Sequence, residues 1–278
     1  MKFDLIIGNP PYTNGLDLHI HKRMEHCLND NGKLVFVQPA MFLLSHKYNV
    51  GKRPGYDLDT SKLEYVKLFD GNDIFNIGLG VAMAITIWVN AKSNGSVNVV
   101  DDVFTNESYQ CKHDEIHPYG KYYGWIKQWM ADNLDYSTNG SVGTHGRHTP
   151  ETDIYIVLPI GNGSGPVMIA KDEGCMEGYL TKPKDHKSAY TNVYSFGSKV
   201  ELDNFVGYLK TKCVRFILSI SKTNQILFRG ELNQIPWLDF TKSYSDKVLC
   251  EMWNIDEKLW KFIDEHIPDY YPDYQYGV

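Results

Sequence analysis

Residues 3–12 read Phe3-Asp4-Leu5-Ile6-Ile7-Gly8-Asn9-Pro10-Pro11-Tyr12, a hydrophobic run leading straight into Asn-Pro-Pro-Tyr. A near-continuous apolar segment of this kind predicts a parallel strand covered on both faces. In open α/β sheets, ligand chemistry gathers where such strands end. Gly8 permits close backbone approach. The two prolines fix φ, remove two N–H donors and hold the residues before them out of the helical region. The expected loop is stiff, poor in donors and rich in acceptors.

Methyl transfer to an exocyclic amine needs a loop of that kind; a plain turn after a strand is its other reading. The N6 amine of adenine is a weak nucleophile because its lone pair is delocalised into the ring. The side-chain oxygen of Asn9 and the carbonyl of Pro10 can accept its two N–H groups, drawing the nitrogen towards tetrahedral geometry with its lone pair aimed at a sulfonium methyl. Pro11 stiffens the loop, and Tyr12 can stack on the base. A base inside a duplex cannot reach such a pocket and has to be flipped out.

On these residues the chain resembles the amino-methyltransferases whose catalytic motif is Asp-Pro-Pro-Tyr or Asn-Pro-Pro-Tyr. More narrowly, it is similar to the adenine-N6 DNA methyltransferases of restriction–modification systems, in which a target-recognition domain follows the catalytic domain. The resemblance implies an α/β fold: part of a Rossmann-like, S-adenosylmethionine-dependent methyltransferase sheet, then an α+β recognition domain and a small helical tail. It implies catalytic roles for Asn9, Pro10, Pro11 and Tyr12, with S-adenosylmethionine as cofactor and double-stranded DNA as partner.

Downstream residues extend the likeness. Leu18, Ile20, Met24 and Leu28 recur at helical spacing, with Asn31-Gly32 expected to end the helix. Lys33 to Pro39 reads as the next buried strand, followed by the apolar helix Ala40 to Leu44. Tyr65 to Phe69 gives a third strand, and Asp73 to Gly78 and Val81 to Val89 read as two antiparallel strands joined near Gly78-Leu79-Gly80 that close the sheet. In the resembling enzymes a phenylalanine between these strands lies against the flipped base opposite the motif tyrosine. Phe75 takes that place here, with ordinary core as its other reading.

Gly95, Ser96 and Asp101-Asp102 mark a boundary, so residues 1–100 are expected to be the C-terminal half of the catalytic domain, 101–240 the recognition domain and 241–278 the tail. Between Tyr119 and Tyr136 aromatic and basic residues interleave, as on a helix laid on DNA or a packed linker helix. Ser198-x-x-Glu201 is a capping box, and Leu202, Phe205, Val206, Leu209, Cys213, Phe216, Ile217 and Ile220 predict one long helix after it. Ser245-Asp246-Lys247 and Ile255 to Asp264 read as tail helices, and residues 269–276 as a frayed aromatic–acidic end.

Net charge is −6, which alone speaks against a nucleic-acid partner, yet the charge is unevenly distributed. Thr181 to Gly230 carries nine Lys/Arg against three acids, a net of +6, and Glu231 onward four lysines against ten acids, a net of −6. A locally basic stretch is what phosphate contact requires. Lys199, Lys210, Lys212, Arg215, Lys222 and Arg229 are the DNA-contact candidates, with a solvated mixed surface as the plainer reading.

At 278 residues with 42% hydrophobic content the chain can hold one large domain or two ordinary ones. No apolar run approaches the roughly 20 residues that span a bilayer, and no leader pattern opens it. Five scattered cysteines suit a reducing cytoplasm and argue against a disulfide framework or a zinc site. The segment Val157 to Pro166 imitates a cofactor-binding glycine loop but lacks the following amphipathic helix and ribose-holding acid, and reads as a Gly-rich recognition-domain loop. His19-x-His21 and His145-Gly146-Arg147-His148 lack a third ligand for a metal.

Enzymes of the resembling family carry their cofactor-binding strands and glycine loop before the Asn-Pro-Pro-Tyr strand. The expectation is therefore that these strands lie on a partner chain, or are lost, or precede the start of the sequence given. Alternative readings are a catalytically inactive DNA-binding or methyltransferase-decoy protein, and an amino-methyltransferase acting on RNA or on protein glutamine.

Overall fold

The apolar run at the start forms a strand, β1 (Phe3–Gly8), and the first helix returns the chain to a second strand parallel to it. These are α1 (Leu16–Glu25) and β2 (Leu28–Pro39). In the computed structural model, the described residues are 1–12, 15–40, 43, 58–75, 82–91, 95–113, 115–145, 154–159, 190–221, 229–267 and 269. They divide into two units, Met1–Gly124 and Trp125–Val278.

The first unit continues through β3 (Leu63–Asp70), the short helix α2 (Gly71–Phe75), β4 (Ala82–Val89), β5 (Val97–Asp101) and β6 (Glu107–Cys111). The strands form one mixed six-stranded sheet in the order β1-β2-β4-β3-β5-β6. The pair β1 and β2 is parallel, β4 runs antiparallel to both β2 and β3, and β5 is parallel to β3. The strands β1, β2, β3 and β5 therefore all end on the same edge. With its helices this is an α/β unit, consistent with a Rossmann-like sheet.

Strand alternation separates two faces of that sheet. On one, Phe36 pairs with Thr86, Thr86 with Val66 and Val66 with Val99, and all four are buried. Leu34, Trp88, Leu68 and Ala84 extend this layer, which α1 covers with Leu18 and His21. On the other face Ile7, Val35, Ile87 and Tyr65 share a row and are half-buried or exposed.

Five sequence expectations change here. The segment from Asp73 does not open a strand: Gly71–Phe75 is helical, and the antiparallel partner of β4 is β3. The strand β1 is not covered on both faces: it lies at the sheet edge, with Leu5 53% and Ile7 71% exposed. Asn31-Gly32 does not end the first helix but lies inside β2. Asn31 takes a positive φ of 61°, its N–H donates to the Asn90 carbonyl, and the Asn90 N–H donates to the Gly32 carbonyl. The boundary near residue 100 is passed without a break, because β5 and β6 extend the sheet and the first unit runs to Gly124. The long helix after Ser198 is two helices, described below. The expected helix from Ala40 to Leu44 lies outside the described residues except for buried Ala40 and Leu43, and the connection at Gly78 to Gly80 lies wholly outside them.

The second unit carries α3 (Tyr123–Asn133, which begins at the division), α4 (Val142–His145), the antiparallel pair β7 (Ile154–Pro159) and β8 (Tyr190–Phe196), α5 (Lys199–Lys210), α6 (Lys212–Ser221), α7 (Arg229–Leu232), α8 (Asp246–Met252) and α9 (Glu257–His266). An aromatic cluster fills its core, with Trp237 4.9 Å from Phe240 and 5.5 Å from Phe205 between ring centroids. Half of the capping box forms: the Ser198 hydroxyl accepts from the Glu201 N–H at 3.2 Å, while the Glu201 carboxylate accepts from the N–H of Gly197, one residue before the cap, at 3.2 Å. Thr211 then turns extended, its hydroxyl donating to the Tyr208 carbonyl at 2.7 Å. Asp246 restarts the helix by accepting the Lys212 and Cys213 N–H groups at 3.1 and 2.9 Å. The aromatic–basic segment is a packed helix, with Ile126 and Trp129 buried and the Trp129 indole donating to the Trp253 carbonyl at 3.0 Å. Among the described residues no helix is long and apolar enough to cross a membrane.

Candidate functional site

The Asn-Pro-Pro-Tyr segment leaves β1 at the edge where β2, β3 and β5 also end. At Gly8 the strand passes close to the Phe36 ring, where a Cβ would stand 3.0 Å from it. Asn9 is exposed, Pro10 buried, Pro11 exposed and Tyr12 half-buried. The Tyr12 hydroxyl donates to the Asn9 side-chain oxygen. The Tyr12 carbonyl accepts from the Gly15 N–H at 3.4 Å, and Gly15 takes the left-handed conformation (φ 76°) that turns the chain into α1.

Burial raises the Tyr12 phenol above its ordinary range, and the neighbouring Asp17 carboxylate adds to this, so the hydroxyl keeps its proton. Asp17 is itself buried in the first turn of α1, and burial holds its carboxyl above the usual range against the pull of nearby backbone N–H groups.

Topology brings Phe75 to the same edge. It closes the short helix that follows β3, is half-exposed, and its ring lies 6.3 Å from that of Phe69. Strand β3 stands three places from β1 in the sheet, roughly 14 Å at the usual strand spacing.

Behind this edge lies a buried polar group that sequence reasoning missed. The Trp88 indole donates to the Thr86 hydroxyl at 2.9 Å, and the Gln38 amide lies 3.4 Å from the same oxygen. The Gln38 side-chain oxygen and both His21 ring nitrogens are buried without hydrogen-bond partners among the described residues. His21 packs against Trp88 and Phe36, with centroids 4.5 and 5.6 Å away. Burial, followed by the charges of Lys62 and Lys22, brings its pKa down to about 4. The available signal was its place three residues after Leu18 on the apolar stripe, which marks a core residue rather than a ligand.

The candidate DNA contacts fall into three groups. Lys199 is exposed and pairs with Asp203 at 2.5 Å. Lys212 is held by Asp264 and Asp269 at 2.5 and 2.8 Å. Burial acts to lower its pKa, but these two carboxylates outweigh it and hold the ammonium above its ordinary range. Arg215 is buried, its Nε donating to the carbonyl of half-buried Lys210 at 3.1 Å. Lys212 and Arg215 thus serve the helical packing of this unit. Lys222 and the side chain of Arg229 lie outside the described residues, as does most of the glycine-rich stretch after Val157 and of the histidine loop after His145.

S-adenosylmethionine would need N–H donors for its carboxylate and an acceptor acid for its ribose. The prolines after β1 offer no N–H donors to a carboxylate. Asp101, the buried acid ending β5, accepts from the Val103 and Phe104 N–H groups and the Thr105 hydroxyl at 2.8 to 3.0 Å.

No protein-family model and no curated protein matches the sequence. Among solved structures the chain is similar to the type IIG restriction endonuclease BpuSI, at 10% identity and a TM-score of 0.33, over 90% of this chain and 43% of that one. The chain thus spans less than half the length of that enzyme.

Proposed function

We propose that the chain is the catalytic-loop and target-recognition part of a restriction–modification type adenine-N6 DNA methyltransferase, with S-adenosylmethionine as methyl source and double-stranded DNA as substrate. The observation that carries this reading is the exposed Asn9, set by two prolines at the carboxyl edge of a parallel strand pair. Asn9 Oδ1 and the Pro10 carbonyl accept the two hydrogens of the adenine amine, which concentrates the nitrogen lone pair for attack. Pro11 holds the loop, and Tyr12 stacks on the flipped base with Phe75 opposite. The unit Trp125–Val278 supplies target recognition, its last helices forming the tail, with Lys199, Lys210, Lys222 and Arg229 as its candidate phosphate contacts.

The cofactor-binding strands pair beside β1, on this or a partner polypeptide. Leu5 and Ile7, apolar and exposed on an edge strand, support this, since such edges are ordinarily protected by charge or covered.

The test is methyl transfer from labelled S-adenosylmethionine to duplex DNA by the full chain, with and without extract of the cells that encode it. Label on adenine that depends on the chain supports the reading. Label on RNA or on protein glutamine shifts the acceptor. DNA binding that weakens steeply with salt, without any transfer, leaves a binding or decoy protein.

A further inference from the structure

The two ends of an asparagine amide have the same shape and opposite polarity, so an Asn9 that accepts from an amine needs its oxygen, not its NH2, turned towards the substrate. Neither Pro10 nor Pro11 can enforce that choice through its backbone, having no N–H. The one donor that reaches Asn9 Oδ1 among the described contacts is the Tyr12 hydroxyl, three residues on.

We infer that Tyr12 is a positioning residue for Asn9: by donating to Oδ1, its hydroxyl fixes which end of the amide faces the substrate, a role separate from stacking by its ring. This rests on the methyltransferase reading. A carbonyl oxygen has two lone pairs, so the bond to Tyr12 leaves one for the amine. The arrangement needs a hydroxyl that stays protonated, and the half-buried site beside Asp17 keeps it so. It also needs a held Tyr12 backbone, and the Tyr12 carbonyl accepts from the Gly15 N–H at 3.4 Å.

The test uses the full chain labelled with nitrogen-15. The Asn9 side-chain amide signals are assigned by their disappearance in Asn9→Asp, then compared between wild type and Tyr12→Phe. Moved and broadened signals are expected in Tyr12→Phe; unchanged signals overturn the inference.

In the methyl-transfer assay, Tyr12→Phe keeps the ring, so the expected loss is about three- to tenfold in kcat, the worth of one oriented hydrogen bond, with KM for DNA little changed. In an Asn9→Asp background both side-chain oxygens accept, and the loss should shrink at least about threefold. An equal loss in both backgrounds, or a loss confined to KM, contradicts the inference. If the wild type transfers no methyl group, the functional reading fails while the amide signals still decide the role of the hydroxyl.

Discussion

Replacing His21 with leucine should make the first unit more stable and flatten its response to acid. In the wild type the imidazole is wholly buried against Trp88 and Phe36, both nitrogens lack partners among the described residues, and its pKa is brought down from 6.5 to about 4. The unfolded chain therefore binds a proton on this side chain at higher pH than the folded chain does. Stability from His21 is intact above pH 6.5, falls as the pH drops through the interval to about 4, and is fully lost below it. A gap of about 2.5 units at 1.36 kcal/mol per unit corresponds to about 3 kcal/mol.

Leucine removes this proton linkage and the two unpaired nitrogens, for a further gain of about 1 to 3 kcal/mol at neutral pH. Hydrogen exchange followed by mass spectrometry on peptides from β2 and β4, between pH 7 and 4, reads the first unit by itself. The variant-minus-wild-type difference should widen by about 3 kcal/mol as the pH falls. A difference that stays flat, or a His21 proton resonance titrating near 6.5, would refute the reasoning.

Three other substitutions probe separate parts of the molecule. Gly32→Ala places a Cβ 2.8 Å from the Phe3 carbonyl and 2.9 Å from that of Asn29, both backbone atoms, and should cost about 1 to 3 kcal/mol by denaturant unfolding of the first unit. Ser198→Ala removes the cap on α5 and should cost about 1 kcal/mol, seen as faster exchange in residues 199–205. Lys212→Met should destabilise the second unit by about 1 kcal/mol or less, the two carboxylates being half-exposed, without altering the salt slope of DNA binding. Lys199→Ala should do the reverse.

The start of the fold was legible because Phe3 to Ile7 and Leu34 to Val37 are both apolar runs, with a helical repeat between them that closes a parallel crossover. The helix end was not, because Asn31-Gly32 is a strong local turn signal that tertiary pairing with Asn90 overrides. The exposure of Leu5 and Ile7 was equally hidden, since a sequence run states that a strand is apolar but not what lies beside it.

After Ser198 the apolar period runs on through Thr211, and it masks the break. The clue lay in Thr211 itself, whose hydroxyl accepts from the Val214 N–H at 3.3 Å as a cap would. Past that break α6 is buried nearly all round, from Cys213 to Ile220, so Arg215 is inside although it lies off the stripe. At the candidate site the motif was readable residue by residue. The bond between Tyr12 and Asn9 was not, because it depends on how the loop closes onto α1.

A rigid, acceptor-rich loop that grips a nucleobase amine is tested most directly by methyl transfer to duplex DNA by wild type and Asn9→Ala side by side. Loss of chain-dependent label on adenine in Asn9→Ala, at least about 100-fold and with the fold intact by circular dichroism, is the predicted result. Undiminished transfer by Asn9→Ala would contradict it.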